Sequence, residues 1–264
     1  MTRRSKKKIR VVIPSRYGSS RLPGKPLVDL GGKPMVVRVY DAVHQALADR
    51  EVDIQVAVDD QRILDVLNMH GISGVLTNPA HESGTDRSAE VARLKSWGNS
   101  DIIVNVQGDE PLIPADMLRA FVSYCSDCPD FSMGTISAPI SSTEHILDPN
   151  VVKLSVNSLG NAIVFSRSPI PFIRDIPPEE WDVKLYRRHV GVYAYRNDIL
   201  QQLTSTAPCT LELAEKLEQL RAQWLGIPIQ VMCWDKSPPH GVDTSDDARR
   251  VSAIFKELDN ESIR

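Results

Sequence analysis

Along the first half of the chain, short runs of β-branched and other apolar residues alternate with segments of helical periodicity. That alternation predicts a mostly parallel sheet with crossover helices, an α/β class. Strands are expected at Ile9–Ile13, Ile54–Val58, Gly74–Leu76 and Ile102–Val106, and helices at Met35–Ala48, Gln61–Met69, Asp86–Trp97 and Ala115–Cys125. Between about 130 and 200 the character changes. Strands follow strands there (Ser132–Ser137, Val151–Val156, Ala162–Ser166, His189–Tyr195), and Asn157-Ser158-Leu159-Gly160 reads as a hairpin turn. A small antiparallel lobe inserted in a parallel nucleotide-binding sheet fits the change. The pattern closes with a helix at Leu211–Leu225, a strand at Ile229–Cys233 and a helix at Ser245–Leu258. Thr244 is the expected N-cap of that last helix, and Asp246 and Asp247 fall in its first turn, where the helix dipole favours acids. Loop Pro169–Trp181 carries four prolines and is a candidate to fold over a site.

Composition narrows the class. The 264 residues are 42% hydrophobic and 25% charged, values of an ordinary globular protein with a core of useful size. No run of 18 apolar residues exists, so no membrane span is expected. A formal net charge of −3 gives no global field for nucleic acid. Positive charge is instead crowded into Arg3, Arg4, Lys6, Lys7, Lys8 and Arg10. Pro14 comes too soon after them for the apolar region of a secretion signal, so residues 1–8 read as a flexible solvated tail ahead of one domain over 9–264. The four cysteines are Cys125, Cys128, Cys209 and Cys233. The lone Cys125-Ser-Asp-Cys128 has no second pair, so reduced thiols in a cytoplasmic protein are the reading rather than zinc or redox chemistry.

Three stretches carry chemistry. The first runs from Val11 to Pro26, where an apolar strand enters a loop with Arg16, Arg21, Lys25, Gly18 and Gly24. Ligands of parallel sheets sit at the carboxyl ends of strands, glycines let backbone approach phosphate oxygens, and cations neutralise them. The spacing is not that of a Walker A loop, Pro26 stands where a magnesium-binding hydroxyl would be, and no GxGxxG supports a dinucleotide. The second stretch is Ile102–Pro111, a strand ending in Gln107-Gly108-Asp109-Glu110. A carboxylate there is the usual way to hold Mg²⁺ beside a substrate phosphate. The third is His240-Gly241-Val242-Asp243-Thr244, in which Asp243 is either a second metal carboxylate or a helix cap. Two carboxylates and a three-cation loop together read as magnesium-assisted chemistry on a nucleoside triphosphate.

The blocks RYGSSRLPGKPL, HESGTDRSAEV, IVNVQGDEPLIP, RRHVGVYAYR, LEQLR and GVDTSDDARRV occur in one order from Arg10 to about residue 256. In them the chain resembles the 3-deoxy-manno-octulosonate cytidylyltransferases, or CMP-Kdo synthetases. RLPGKP is shared among sugar-acid cytidylyltransferases generally, and the SGTDR, QGDEP and RHVGVY blocks together are more specific. The resemblance implies a Rossmann-like nucleotide-diphospho-sugar transferase fold, a nucleotidyltransferase domain over 9–264 with a sugar-acid and dimerisation lobe at about 130–200, a homodimer, and a product for lipopolysaccharide biosynthesis.

It also implies roles. Arg16 and Lys25 would grip the triphosphate of CTP, with Arg21 near phosphate or the sugar acid. Ser83, Gly84 and Thr85 would line the base or ribose pocket, and Gln107 would help read the nucleotide. Asp109 and Asp243 would hold Mg²⁺ and, with Lys25, form the catalytic set. Arg167, His189, Tyr193, Glu215 and Gln219 match positions facing the sugar acid, 3-deoxy-D-manno-octulosonate (Kdo). Glu215 and Gln219, four apart in the expected 211–225 helix, would share a face. One departure is Val58, where the family pattern Ala-Thr-Asp-Asp has a hydroxyl and this chain reads Ala57-Val58-Asp59-Asp60. Two alternatives stay open: activation of another sugar acid (8-amino-Kdo or sialic acid), and a non-catalytic nucleotide sensor, against which the two carboxylates argue.

Overall fold

The computed structural model describes residues 7–19 and 21–262. The expected flexible tail lies outside them, except for Lys7 and Lys8. The chain divides into two compact units. The first comprises the chain up to Ala120 and from Pro239 onward, and the second is Phe121–Pro238, which extends beyond the lobe expected at about 130–200.

The first unit is a βα series: β1 (Ile9–Ser15), α1 (Met35–Ala46), β2 (Val52–Val58), α2 (Gln61–Met69), β3 (Gly74–Leu76), α3 (Gly84–Leu94) and β4 (Ile102–Asn105). From there α4 (Ala115–Asp127) carries the chain into the second unit. The strand order is β3-β2-β1-β4, all parallel, with Ile9 opposite both Val52 and Ile102. Val11, Val12, Ile13, Val56, Ala57, Val58, Ile102, Ile103 and Val104 are fully buried, as expected where helices cover both faces of a parallel sheet. Each of the valine and isoleucine side chains contributes roughly 1.5–3 kcal/mol by burial. Their predominantly apolar, β-branched runs, interrupted in β2 by Asp53 and Gln55, are why these strands were readable. β1, β2 and β4 end at one rim, and residues 16–19 and 21–25, Asp59–Asp60 and Gln107–Glu110 follow there.

The C-terminal helix, Ser245–Ser262, returns to this unit and is firmly seated. Buried Arg38 donates to Leu30 O (2.9 Å), Gly31 O (2.7 Å) and Asp259 Oδ2 (2.7 Å), and its guanidinium lies 4.2 Å from the Phe255 ring centre. Gly31, at φ 68°, lets the helix approach, because a methyl group there would meet Phe255 Cβ at 2.9 Å.

The second unit holds β5 (Met133–Pro139), α5 (Thr143–Leu147), β6 (Lys153–Val156), β7 (Ala162–Ser166), β8 (Arg187–Arg196), α6 (Asn197–Ser205), α7 (Thr210–Glu215), α8 (Gln219–Trp224) and β9 (Ile229–Cys233). β5 pairs antiparallel with β8 and parallel with β9, and β6 pairs antiparallel with β7. The hairpin turn falls where expected, with Gly160 N donating to Asn157 O at 3.0 Å. The proline-rich loop is anchored by Trp181, which stacks on Tyr186 at 5.8 Å and shares a buried cluster with Ile140 and Ile146.

One expected element is corrected. Residues 211–225 are two short helices, broken at Lys216, whose φ of 54° is left-handed. The break lets Arg221 reach back to the buried Glu212 carboxylate (Nε–Oε2 2.7 Å) and to the Leu203 and Thr206 carbonyls. That ion pair outweighs helical continuity, and Glu215 and Gln219 therefore do not share a helix face.

Candidate active site

Three motifs distant in sequence meet in the first unit. Gly24, left-handed at φ 64°, turns the chain so that Lys25 opens a one-turn 3₁₀ helix. Lys25 Nζ donates to Asp109 Oδ2 at 2.6 Å and to Asp243 Oδ1 at 2.9 Å. Arg21 Nη2 reaches the same Asp243 oxygen at 3.2 Å. Burial alone would push the Lys25 ammonium down, but Asp109 and then Asp243 outweigh it and hold its pKa above the usual lysine value. Lys25 is therefore a fixed positive charge, not a base. Arg16, at the end of β1, is exposed.

Backbone contacts fix the two carboxylates. Val242 N donates to Asp109 O at 2.8 Å, so the 240s segment is tied to the QGDE turn. Gly241 and Gly108 are required by this closeness. A methyl at Gly241 would meet Asp109 O at 3.0 Å, and one at Gly108 would meet Ser15 Oγ at 2.3 Å and Pro14 O at 2.6 Å. Capping of the C-terminal helix falls to Thr244, whose Oγ1 accepts from Asp247 N at 3.2 Å while Asp247 Oδ2 accepts from Thr244 N at 3.0 Å. Asp243 is thereby free of capping duty and faces the cations. Its side chain is 46% exposed and that of Asp109 33%, which leaves room for further oxygen ligands. Two carboxylates that already share one ammonium are the kind of donor set Mg²⁺ takes. Among the described residues, no group of three or more His, Cys, Asp or Glu is placed to hold a metal ion.

Ser83, Gly84 and Thr85 begin α3. Ser83 Oγ caps it, accepting from Asp86 N at 3.0 Å, which is why the helix starts two residues earlier than its apolar pattern suggests. Gly84 lies against Pro14 and Gln107, where a methyl would come within 3.0 Å of Pro14 Cγ and 3.4 Å of Gln107 Oε1. Gln107 Nε2 donates to Asn105 Oδ1 at 3.4 Å. Val58 is buried, and its carbonyl accepts from both Thr77 N and Thr77 Oγ1 at 2.8 Å.

The sugar-acid candidates lie in the second unit, in two groups. Arg167 and Glu215 close on each other: Arg167 N donates to Glu215 Oε2 (2.9 Å), Ser166 Oγ to Glu215 Oε1 (2.8 Å), and Arg167 Nε to Glu215 O (2.6 Å). Buried Lys153 donates to Asp148 O and Arg167 O beside them. His189 and Tyr193 form the second group on β8, with ring centres 5.1 Å apart. His189 Nε2 bonds Thr135 Oγ1 at 2.9 Å, and burial, then the Arg188 charge, push its pKa down to about 3, so the ring is neutral. The Tyr193 hydroxyl, its pKa raised well above the usual value by burial, then by Tyr195 and Glu218, has no hydrogen-bond partner among the described residues. Gln219 is 5% exposed, and its Nε2 has no partner among them either. Buried polar atoms without partners cost about 1–3 kcal/mol each, and a ligand that supplies the partner recovers it.

Sequence reasoning passed over Tyr17, Asp59 and Arg87, which brace the cationic loop. Arg87 stood inside the quoted SGTDR block. The signal for it was an arginine among the small and apolar residues Ser88, Ala89, Val91 and Ala92 that the helix buries.

A cationic loop and paired carboxylates at one rim of a parallel sheet suit a nucleotidyltransferase. Residues 10–229 match the cytidylyltransferase family, and the chain belongs to it. It is similar to 3-deoxy-manno-octulosonate cytidylyltransferase 2 of Paraburkholderia phytofirmans, 54% identical over 247 residues that cover 94% of each chain. The 3-deoxy-manno-octulosonate cytidylyltransferase of Hahella chejuensis is 44% identical over 253 residues, 93% of this chain and 96% of that one. Among solved structures, CMP:2-keto-3-deoxy-manno-octonic acid synthetase complexed with CTP matches with a TM-score of 0.86 at 39% identity, covering 96% of this chain and all of the other.

Proposed function

We propose that this enzyme joins CTP to Kdo, giving CMP-Kdo and pyrophosphate. The carrying observation is the Asp109–Lys25–Asp243 bridge, in a chain more than half identical to an enzyme named for that reaction. In this reading the C2 hydroxyl oxygen of Kdo bonds to the α-phosphorus, its proton leaves to water, and the bond from that phosphorus to the pyrophosphate oxygen breaks. Arg16, Arg21 and Lys25 supply charge for the triphosphate, and Lys25 keeps its proton throughout. Ser83, Gly84, Thr85 and Gln107 are assigned to the nucleoside. His189, Tyr193 and Gln219 are assigned to the sugar acid, the last two through their unpaired atoms. Arg167 and Glu215 belong to the same set, with much of their bonding capacity already spent on each other. Such transfers are driven by positioning and charge neutralisation, the two things this site provides.

Asp109 and Asp243 are the residues that would hold Mg²⁺. Bound there, the ion supplies Lewis-acid polarisation of phosphoryl oxygen and lowers the pKa of a coordinated hydroxyl. We also assign a homodimer. On the second unit Leu159 (81% exposed), Ile163 (60%) and Trp224 (62%) are exposed apolar side chains on the β6–β7 turn, β7 and α8, and Gln223 Nε2 joins α8 to β7 by bonding Ala162 O at 3.3 Å. The four free cysteines fit a reducing cytoplasm, and CMP-Kdo would serve lipopolysaccharide assembly. Among the described residues, no helix is long and apolar enough to cross a membrane.

The test is pyrophosphate release with CTP, Kdo and Mg²⁺, each omitted in turn, with sialic acid and 8-amino-Kdo as competitors. Release requiring all three and preferring Kdo is expected. Release with another sugar acid but not Kdo overturns the substrate, and none with any sugar acid overturns the activity.

A further inference from the structure

The cationic loop is braced from behind by groups that play no part in the reaction as described. Asp59, directly after β2, accepts the Tyr17 N–H on Oδ1 at 2.8 Å and faces Arg87 Nη2 with Oδ2 at 3.7 Å. Arg87 is 2% exposed and donates Nη1 to Thr77 Oγ1 at 2.6 Å, and Thr77 Oγ1 donates on to Val58 O at 2.8 Å. β2, the segment after β3 and α3 thus converge on one buried guanidinium, with Asp59 as its counter-charge. Burial pulls the Arg87 pKa down while Asp59 and Glu90 hold it up, as expected of a buried cation kept charged by partners.

Tyr17 carries the brace into the loop. The Arg62 guanidinium lies 3.6 Å from the Tyr17 ring centre and is itself fixed by both carboxylate oxygens of Asp60 (2.8 and 2.6 Å). The far end of the ring touches the turn before Lys25, since a methyl at Gly24 would sit 3.3 Å from Tyr17 Oη. One aromatic ring therefore links both ends of the segment that presents Arg16, Arg21 and Lys25.

We propose that Asp59 and Arg87 are positioning residues that, through Tyr17, hold the cationic loop in its triphosphate-binding shape before the nucleotide arrives. The inference rests on the nucleotide reading of that loop. It gives the Ala57-Val58-Asp59-Asp60 block a role that does not depend on a hydroxyl at position 58.

The test uses Asp59→Asn, Asp59→Ala and Tyr17→Ala in the full chain, well below their melting temperatures. Asn retains an acceptor for the Tyr17 N–H but not the charge facing Arg87. Asp59→Ala and Tyr17→Ala should each raise the CTP KM about tenfold with kcat within about threefold of wild type, and Asp59→Asn should fall between. A purely structural role leaves KM unchanged in any variant that folds. Without substrates, trypsin should cut after Arg16 and Arg21 several-fold faster in the two alanine variants, a readout independent of the reaction. A CTP KM within twofold of wild type together with unchanged cleavage overturns the proposal. If Asp59→Ala does not fold because Arg87 is left unpaired, Asp59→Asn and Tyr17→Ala decide. If the wild type does not turn over CTP, the functional reading fails and the cleavage rates alone judge the brace.

Discussion

The two units prepare for their ligands in opposite ways. In the first, the candidate residues are charged, partly open and already paired: Lys25 with Asp109 and Asp243, and Arg21 with Asp243. In the second, three of the five are neutral, Gln219 is buried and the others are half-buried, and Tyr193 and Gln219 each hold a buried polar atom with no partner among the described residues. In the proposed assignment the difference follows from what each set would meet. A triphosphate is a dense charge that exchanges with ion pairs at little cost in the free protein. A sugar acid presents many hydroxyls, and each rewards a buried group that was waiting for it. The first arrangement favours capture by charge, and the second favours discrimination.

The comparison can be broken at several points. Removing a carboxylate should do most. Asp109→Ala or Asp243→Ala is expected to lose at least ~10²-fold in turnover, the scale of one removed charge-stabilising group. Near-normal turnover in both would end the metal and charge assignment. Lys25→Ala comes next: about tenfold or more in the CTP KM with slower turnover, checked by initial rates at low CTP. Tyr193→Phe separates the two strategies. It should stabilise the free protein by about 1 kcal/mol in thermal unfolding while raising the Kdo KM several-fold, whereas no paired residue of the first unit can be removed at a gain.

The last test is a pH dependence of stability rather than of turnover. His189 has a pKa of about 3 in the folded protein and roughly 6.5 when unfolded, so between those values the unfolded chain binds a proton that the folded chain does not. Stability should therefore fall as pH drops from about 6.5 toward 3, by up to about 1.4 kcal/mol per pH unit from this group alone. Urea unfolding of His189→Gln should show a correspondingly flatter acid limb. An unchanged slope would place a charge or an open surface at position 189.

The same contrast decides what was legible in the sequence. β1, β2 and β4 announce themselves because both faces are largely buried and their runs are rich in valine and isoleucine, and the loops after β1 and β4 carry their charges in compact blocks. Lys25, Asp109 and Asp243 could be placed together because strand ends of a parallel sheet share a rim. The second unit was less readable. The break at Lys216 depends on Glu212 finding Arg221, a tertiary ion pair that helical periodicity does not register. α5 and α6 are short, and α6 follows β8 without a turn signal. Arg87 was quoted in a motif yet given no role, because its partner Asp59 is remote in sequence and lies beside it only once β2 and α3 have packed.

The division of labour itself is tested most directly by measuring both Michaelis constants in two variants, Arg16→Ala and Gln219→Leu. Arg16 is exposed, and Gln219 has an amide nitrogen without a partner, so neither change removes a structural bond of the described residues. The account predicts that Arg16→Ala raises the CTP constant about tenfold and leaves that for Kdo within twofold. Gln219→Leu should do the reverse. If Arg16→Ala alters only the Kdo constant, or Gln219→Leu only the CTP constant, the assignment of nucleotide to the charged set and sugar acid to the buried one is contradicted.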